Sequence, residues 1–504
     1  MIIEGILSVI LSPICLMLIS VGVIIGIIFG SIPGLSATMA VVLFLPMSFG
    51  MEPINGISLL IGLYIGGISG GLISAILLKI PGTPSSIATT FDGGPMADNG
   101  EAGKALGAGI LYSFLGGLLS IIALIFISPL LAKFALKFTP VEYCSIALLS
   151  LTIIASLSGD SMINGLLSGL FGITAALIGM APLDGFRRFT FGSSQLGSGL
   201  TIVTVLIGLF AIADIFEYAF KGDEDAGELK NYKISGFGVT LHEFKSQFVN
   251  FIRSSIIGLV IGILPGVGGS TASILSYSAA KNSSKYPEKF GTGIIDGVIA
   301  SESSNNAMTG GSLIPLLTLG IPGNTVTAML LGGLMIHGIS PGPLIFEKNG
   351  TIMYGIFTAL IVANFAMLIF EYMGLKFFVK LMDIPKNILF PIIIVLCAVG
   401  AFATNSRVFD IYCILAFGLI GYAFKKVNIP KTPFIIGFII GPIAEVNLRR
   451  ALMASDGSLM PFITRPISAI FIAFTIFSVI MTIKRKLEDD KKKTTPSKFD
   501  EIPE

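Results

Sequence analysis

The chain is short of charge. Of its 504 residues only 12% are Asp, Glu, Lys or Arg, whereas 53% are hydrophobic and the mean hydropathy is +0.89. A soluble globular protein carries about a quarter charged residues. The first hundred residues contain five charged side chains, Glu4, Glu52, Lys79, Asp92 and Asp98, which are too few to build a surface that faces water. This scarcity excludes a soluble domain and predicts an integral membrane protein.

The residues that serve metal and catalytic chemistry are scarce as well. Two histidines and four cysteines, the latter in apolar stretches, show no spacing typical of a metal site or a redox-active thiol pair. The motifs H-E-x-x-H, G-x-S-x-G and G-x-x-x-x-G-K-[ST] are absent from the sequence. We therefore expect neither an enzyme nor an ATP-driven pump, and no bound cofactor. The net charge of +2 gives no indication of a nucleic-acid partner.

Apolar segments close to the ~20 residues that cross a bilayer predict an all-α, polytopic membrane protein with about 11–13 spans. The expected spans are 5–29, 53–80, 104–132, 140–158, 162–180, 199–220, 251–264, 307–321, 350–373, 386–403, 407–424, 433–448 and 463–484. Three further apolar stretches are too short to cross and each follows a Pro-Gly pair, which predicts re-entrant or broken helices at 36–50, 267–280 and 324–338.

A polar insertion organises the chain. Residues 221–250 separate a first membrane repeat, 1–220, from a second, 251–484, and a charged tail follows at 485–504. The basic residues around that tail predict a cytoplasmic C-terminus. The N-terminus has neither a basic region nor an A-x-A cleavage site, so we expect it to begin a first span and not a signal peptide.

An internal repeat is the most informative feature. The motif Gly26-x3-Gly30-x2-Pro33-Gly34 recurs 232 residues later as Gly258-x3-Gly262-x2-Pro265-Gly266. Downstream, Ile80-Pro-Gly82 recurs 241 residues later as Ile321-Pro-Gly323. Two motifs in the same order at nearly the same offset predict a two-fold internal repeat.

The four Pro-Gly pairs predict a binding site. Each is followed by hydroxyl or amide side chains and then by an apolar stretch, the order of a helix end followed by a capped helix start. Broken helices survive in a membrane only within protein or beside a wet cavity, and their free N–H groups suit an anion. Paired breaks in two halves are typical of a transporter's midplane site. The other interpretation of each break is a kink for helix packing. The candidate substrate ligands are Ser36, Thr38, Lys79, Thr83, Ser85, Ser86, Ser270, Thr271, Asn324 and Thr325.

A second candidate site surrounds one intramembrane acid. Glu302, Asn305 and Asn306 lie on one face of a predicted helix, because positions i, i+3 and i+4 are neighbours on a helix surface. An ionisable residue inside a membrane segment is a functional candidate by default. These three residues could bind Na⁺ as a coupling ion, or they could fasten the broken helix to its surroundings. Asp92, in a turn rich in Gly and Pro, is interpreted as a structural loop cap.

At these motifs the chain resembles the large permease of the tripartite tricarboxylate transporters (TctA-like). The resemblance covers residues ~20 to ~450 and rests on Pro33-Gly-Leu-Ser-Ala-Thr38, Ile80-Pro-Gly-Thr-Pro-Ser-Ser86, Pro265-Gly-Val-Gly-Gly-Ser-Thr-Ala-Ser273, Glu302-Ser-Ser-Asn-Asn306 and Leu319-Gly-Ile-Pro-Gly323. It implies uptake of di- or tricarboxylates or related organic anions, driven by a Na⁺ or H⁺ gradient. It also implies a small membrane subunit and an extracytoplasmic solute-binding protein as partners, in a prokaryotic cell membrane. Inverted repeats and an elevator-like mechanism would accompany that family.

Two residues depart from the pattern of the family: Ser301 precedes Glu302 where proline is common, and the second is Lys79. Lys79 precedes Ile80-Pro81, where the family usually has a neutral Asn. Its ammonium group could pair with a substrate carboxylate or occupy a cation position, or it could extend to the membrane interface. The alternative functions that the sequence leaves open are an ion channel and a transporter of another small solute that uses the same broken-helix site.

Overall fold

The computed structural model describes residues 1–157, 162–221, 238–381 and 386–494, with side chains for all of these except 153–157, 162, 221, 386 and 481–494. Most of the polar insertion expected at 221–250 (its residues 222–237), the end of the tail expected at 485–504 (its residues 495–504) and the side chains of 485–494 therefore lie outside the described part. The division of the chain into two membrane repeats stays a prediction.

The described chain is almost entirely helical, as the sequence predicts. The helices are α1 Ile2–Ile10, α2 Pro13–Ser31, α3 Ala37–Ser48, α4 Pro53–Leu77, α5 Ile87–Met96, α6 Ala102–Ala135, α7 Pro140–Leu157, α8 Met162–Ala176, α9 Ser194–Gly197, α10 Ile202–Leu206, α11 Ala213–Lys221, α12 Leu241–Ile263, α13 Gly268–Ser283, α14 Ile295–Leu319, α15 Thr325–Ile336, α16 Ile345–Lys348, α17 Gly350–Leu381, α18 Lys386–Asn405, α19 Val408–Lys426, α20 Lys431–Ala454, α21 Pro461–Thr464 and α22 Pro466–Thr494. Pro84–Ser86 and Pro287–Lys289 form 3₁₀ turns, and Ala97–Glu101 and Ile207–Ile212 form π-helical turns. Two short strands, β1 Gly179–Met180 and β2 Arg187–Arg188, pair antiparallel.

Nine helical segments within the described residues are long and apolar enough to cross a membrane: Pro13–Ser31, Pro53–Leu77, Pro84–Ala135, Ile202–Phe220, Leu241–Ile263, Gly350–Leu381, Asn387–Asn405, Val408–Lys426 and Lys431–Ala454. The sequence predicts about 11–13 spans. The difference arises because α14 is rich in Ser and Asn and because the helices at three of the expected spans, 140–158, 162–180 and 463–484, have only 10–17 described apolar residues. The all-α polytopic class is confirmed.

The described chain forms two compact units. The first unit comprises the described residues within 1–137 and 200–427, and the second comprises those within 138–199 and 428–494. Both halves of the Pro-Gly repeat lie in the first unit, so all the predicted site residues lie there too.

Glycines set the helix packing in the first unit. A Cβ on Gly22 of α2 would lie 2.5 Å from the carbonyl oxygen of Leu59 in α4, and a Cβ on Gly62 of α4 would lie 2.5 Å from that of Ile19 in α2. Without side chains at these positions the two backbones approach closely. In lipid, where no hydrophobic effect drives helices together, such close packing is what stabilises their association.

Two ion pairs connect the helices of the second unit. Glu142, at the start of α7, is 1% exposed, accepts a 2.8 Å bond from the Thr139 backbone N–H and is bonded by Arg465 Nε at 2.5 Å. Arg188 of β2 forms a bidentate ion pair with Glu445 of α20, with N–O distances of 2.7 and 3.2 Å. Neither pair is near the predicted site residues in sequence, and both stabilise the unit internally.

Candidate functional site

Each Pro-Gly pair stands where one helix ends and another begins. Helix α2 ends at Ser31 and α3 begins at Ala37, and Pro33-Gly34 lies between them with Gly34 in the left-handed region (φ +90°). The same arrangement separates α4 from the turn that leads to α5, α12 from α13, and α14 from α15. The three short apolar stretches that the sequence predicts correspond to α3, α13 and α15.

Three of the four helix starts are capped by their own side chains. Ser36 accepts a 3.1 Å bond from the backbone N–H of Met39. Thr83 and Ser86 form a reciprocal capping box at the start of the 3₁₀ turn before α5, and Asn324 forms another with Thr327 at the start of α15. A cap of this kind satisfies one or two of the four free N–H groups of a helix start. Four of the predicted ligands therefore contribute part of their polar groups to capping.

The start of α13 differs from the other three. Its N-cap residue is Val267, which has no side-chain oxygen to offer, and the first residues of the helix are Gly268, Gly269 and Ser270. Its first N–H groups thus have no side-chain cap, and the positive end of the helix dipole adds to them. Gly268 adopts φ +73°, a conformation that suits glycine.

The helix breaks of each half contact one another. A Cβ on Gly82 would lie 2.1 Å from the carbonyl oxygen of Gly30, and a Cβ on Gly323 would lie 2.7 Å from that of Gly262. In the second half the backbone N–H of Gly266 also donates to the carbonyl of Gly323 at 2.8 Å. The two breaks of one half therefore meet where a side chain would not fit.

The backbone contacts of the two halves recur at the offsets of the sequence repeat. A Cβ on Gly30 would lie 2.4 Å from the carbonyl oxygen of Gly67, and a Cβ on Gly262 would lie 2.6 Å from that of Met308. The glycines are 232 residues apart and their partners 241 residues apart, as are the Pro-Gly motifs. By the second offset Tyr64 of α4 corresponds to Asn305 of α14.

Residues from both halves come together beside the start of α13. A Cβ on Gly269 would lie 2.6 Å from Cβ of Ser85, 2.8 Å from Cε of Met308 and 3.2 Å from Oδ1 of Asn305. The hydroxyl of Ser85 in turn lies 3.0 Å from that of Thr83. We call these five residues, Thr83, Ser85, Gly269, Asn305 and Met308, the hairpin cluster.

Asn305 is the unusual member of the hairpin cluster. Its side chain is 0% exposed, and neither its amide nitrogen nor its amide oxygen forms a hydrogen bond of normal geometry within the described chain, although the amide is close enough to Glu302 to interact with that carboxyl group. Leaving a buried donor or acceptor unpaired costs about 1–3 kcal/mol, so such groups call for an explanation. A free amide beside an uncapped helix start offers N–H donors to an anion and an oxygen to a cation.

A polar group from the second half reaches the first half next to the hairpin cluster. The amide nitrogen of Asn324 lies 3.1 Å from the sulfur of Met308, 3.2 Å from the hydroxyl of Ser312 and 3.3 Å from the hydroxyl of Tyr64. The hydroxyls of Tyr64 and Ser312 are 2.9 Å apart. Tyr64, Ser312 and Met308 were not among the residues expected from the sequence. For Tyr64 the available signal was its 241-residue offset from Asn305.

Glu302 lies in a buried polar network next to the hairpin cluster. Its two carboxylate oxygens accept bonds from Thr89 at 2.5 Å and from Ser113 at 2.9 Å, and the amide of Asn306 donates to Ser113 at 2.8 Å. These bonds connect α14 to α5 and α6. Of the three residues expected to bind Na⁺, Glu302 and Asn306 share this network, whereas Asn305 lies between Glu302 and the hairpin cluster. Their role as cation ligands stays a prediction.

Lys79 forms an ion pair with Asp98, has a side chain 44% exposed, and packs its stem against Gly94. Its backbone lies in the left-handed region (φ +57°). Ser270, Thr271 and Thr325 are half-buried in the first turns of their helices, and Thr38 is buried in α3. The described structure shows no side-chain hydrogen bond from Thr38, Thr271 or Thr325 to the hairpin cluster.

Asp92 caps a loop. Its Oδ1 accepts bonds from the backbone N–H groups of Gly291, Gly293 and Ile294 at 2.8–3.1 Å, and its Oδ2 accepts one from the Tyr277 hydroxyl at 2.8 Å. The interpretation of Asp92 as a structural cap agrees with these contacts, which tie α5 to the loop that precedes α14.

These features define a polytopic helical membrane protein in which paired broken helices bring polar groups together inside the protein. The chain belongs to the tripartite tricarboxylate transporter TctA family, whose model matches residues 16–436. The family is one of transporters, so the expectation of a transport protein in a membrane is confirmed.

Two relatives from Agrobacterium vitis are similar over long stretches. The first, described as "Uncharacterized 52.8 kDa protein in TAR-I ttuC' 3'region", is 35% identical over 483 residues, which is 96% of each chain. The second, "Uncharacterized protein in TAR-II ttuC' 3'region", is 38% identical over 226 residues, which is 45% of this chain and 93% of the relative. No solved structure matches the chain.

Proposed function

We propose that this chain is the large permease subunit of a binding-protein-dependent secondary transporter that imports di- or tricarboxylates or related organic anions. It works in the cell membrane of a prokaryote with a small membrane subunit and an extracytoplasmic solute-binding protein, its C-terminus in the cytoplasm. A gradient of Na⁺ or H⁺ drives uptake. Family membership supports the tripartite assembly.

The observation that carries the proposal is the free amide of Asn305 beside the uncapped start of α13. An anionic oxygen placed there would receive the N–H groups of the helix start and the Asn305 amide, with the Ser85 hydroxyl within reach of the same space. No lysine or arginine belongs to the hairpin cluster. Helix dipoles and neutral donors can bind an anion without a buried positive charge. Because no ion pair has to be broken, the anion can be released again.

The recurring contacts of the two halves support a transport mechanism. Equivalent helix breaks in two repeats suit a site that faces each side of the membrane in turn. We infer that the repeats have inverted topology and that the broken helices move together in an elevator-like step. The predicted ligands outside the hairpin cluster, including Lys79 and Thr271, would contact the substrate at other stages of that step. Glu302 and Asn306, with Asn305, are the candidates for binding Na⁺.

Uptake into proteoliposomes tests the proposal. The chain is reconstituted with its small membrane subunit and the binding protein is added outside, and labelled citrate, dicarboxylates and aromatic acids are screened under an inward Na⁺ gradient or an inward proton gradient. We expect accumulation of at least one acid, and only when all three components are present. Transport of neutral solutes but of no carboxylate would overturn the anion assignment. Full uptake without the binding protein would overturn the tripartite assignment.

A further inference from the structure

Glu371 is a carboxyl group inside a membrane helix that the candidate site does not use. It lies in α17, Gly350–Leu381, one of the apolar helices long enough to cross a membrane, and its side chain is 0% exposed. The neighbouring turns of the helix present the buried Met367 and Leu375. Acids in such positions are costly and rare, and they usually serve ion or proton movement.

The hydrogen bonding of Glu371 is half complete. The hydroxyl of Ser69, on α4, donates to Oε2 at 2.9 Å. Oε1 has no hydrogen-bond partner, and none of the ion pairs of the described residues includes Glu371. A carboxylate left in this state would carry an uncompensated charge in an apolar interior, at a cost of several kcal/mol. The free oxygen therefore calls for a positive partner.

The helices packed against α17 supply no such partner. They are α1, α2, α4, α6 and α16, and their charged side chains are Glu4, Lys104, Lys133, Glu347 and Lys348. Lys104 is paired with Glu243 at 2.7 Å, Glu4 with the N-terminal amine at 2.9 Å, and the other three are exposed. Cys15, Tyr64 and Tyr112 of these helices are uncharged at neutral pH. On α17 itself, Lys376 and Lys380 are exposed. Glu302 of α14 is near enough to Glu371 for the two carboxyl groups to interact electrostatically.

A proton fits this environment better than a metal ion. A desolvated cation needs a shell of several oxygen ligands, whereas Glu371 has one hydroxyl neighbour and apolar residues in the adjoining turns. A proton needs only the free oxygen. A proton on Glu371 also avoids two ionised carboxylates near each other, because such a pair in a low-dielectric site favours protonation of one of its members.

Ser69 connects Glu371 to the candidate site. Two residues further along α4, a Cβ on Gly71 would lie 2.5 Å from the hydroxyl of Thr83 and 2.9 Å from that of Ser86. Helix α4, whose Ser69 hydroxyl donates to Glu371, thus also packs closely against the hydroxyls of Thr83 and Ser86 at the hairpin cluster. A change in the protonation of Glu371 can reach the cluster through one rigid helix.

We propose that Glu371 carries the proton whose movement is coupled to uptake of the anion. The inference rests on the proposed function and names its coupling ion. In the inward step the proton binds at Oε1 from the outer solution, and it leaves to the inner solution after the broken helices have moved. The anion and the proton then travel in the same direction.

The test uses the complete transporter in proteoliposomes with the Glu371→Gln variant. Glutamine keeps an acceptor for Ser69 and mimics the protonated acid. Under an inward proton gradient, we expect this variant to accumulate at least tenfold less substrate than wild type. Its exchange of labelled for unlabelled substrate should stay within about twofold of the wild-type rate. Glu347→Gln, the same change at an exposed residue, is the matched control and should accumulate normally. In wild type, substrate entry should raise the pH of the outer solution of weakly buffered vesicles.

The outcomes separate this inference from the proposed function. Wild-type uptake that follows a Na⁺ gradient, ignores a proton gradient and moves no protons would overturn the role of Glu371 and leave anion transport intact. Normal proton-driven accumulation by Glu371→Gln would do the same. Absence of carboxylate uptake under every gradient would overturn the proposed function itself. If Glu371→Gln is not inserted in the membrane, infrared difference spectra of wild type and Glu371→Asp decide: a substrate-induced band of a protonated carboxyl that shifts in Glu371→Asp supports the proposal, and no band contradicts it.

Discussion

Replacement of Asn305 by leucine should separate stability from transport. The amide of Asn305 makes no hydrogen bond of normal geometry in the described chain, so the substitution removes two buried unpaired polar atoms and loses only the weaker interaction of the amide with Glu302. Each unpaired atom costs about 1–3 kcal/mol. We therefore expect the free energy of unfolding of Asn305→Leu to be equal to that of wild type or higher. If Asn305 served only to stabilise the fold, Asn305→Leu would instead lower the free energy of unfolding.

Transport by Asn305→Leu should fall steeply. If the amide donates to an anionic oxygen, its loss removes a hydrogen bond to a charged group, which contributes about 1.5–3 kcal/mol. At 1.4 kcal/mol for each factor of ten, apparent affinity should fall about 10- to 150-fold. Uptake at a low substrate concentration should fall in the same proportion.

The neighbouring residue supplies the control. Asn306 donates to Ser113 at 2.8 Å inside the Glu302 network, so Asn306→Leu breaks a bond and leaves buried acceptors unpaired. It should lower the midpoint of thermal unfolding. The assay is a thiol-reactive dye, because the four cysteines are all buried and become reactive only on unfolding. A midpoint lowered equally by both variants, or wild-type uptake by Asn305→Leu, would refute the reasoning.

Three further substitutions test the geometry. Gly269→Ala places a Cβ 2.6 Å from Cβ of Ser85 and should reduce uptake at least fivefold with normal membrane insertion. The control is Gly197→Ala, whose new Cβ meets nothing within 4 Å and which should leave uptake unchanged. Equal uptake by the two variants would contradict a crowded site at Gly269. Asp92→Ala removes four hydrogen bonds to a carboxylate and should lower the unfolding midpoint by several degrees. An unchanged midpoint would show that other contacts hold the loop. Tyr64→Phe loses the hydroxyl contacts to Ser312 and Asn324 and should lower the free energy of unfolding by about 1 kcal/mol. If Tyr64 only fills space, thermal unfolding of the variant will match that of wild type.

The positions of the helix breaks could be predicted because their causes are local. Proline removes a backbone donor, glycine tolerates positive φ, and Ser, Thr or Asn caps the next helix. The stretches expected at 36–50 and 324–338 accordingly match α3 and α15 within a few residues. The same signals could not show that α13 begins without a side-chain cap, since Ser270 and Thr271, two residues able to cap a helix, stand in its first turn.

The roles of individual polar residues depended on tertiary contacts. Asn305 and Asn306 are adjacent and chemically identical, and only the packing of α14 sends one to the hairpin cluster and the other to the Glu302 network. Glu371 was missed because the expected span ended at residue 373, which would place it at the membrane interface. The helix continues to Leu381, and the acid is buried.

A cysteine at Ser270 tests most directly whether the hairpin cluster binds the transported anion. Ser270 is half-buried in the uncapped first turn of α13, and the native cysteines are buried, so a charged thiol reagent should label Ser270→Cys selectively. We predict that a saturating concentration of the transported acid slows this labelling at least fivefold and leaves the labelling of Ser458→Cys, an exposed control, unchanged. Equal labelling of Ser270→Cys with and without the acid would contradict the assignment of the site.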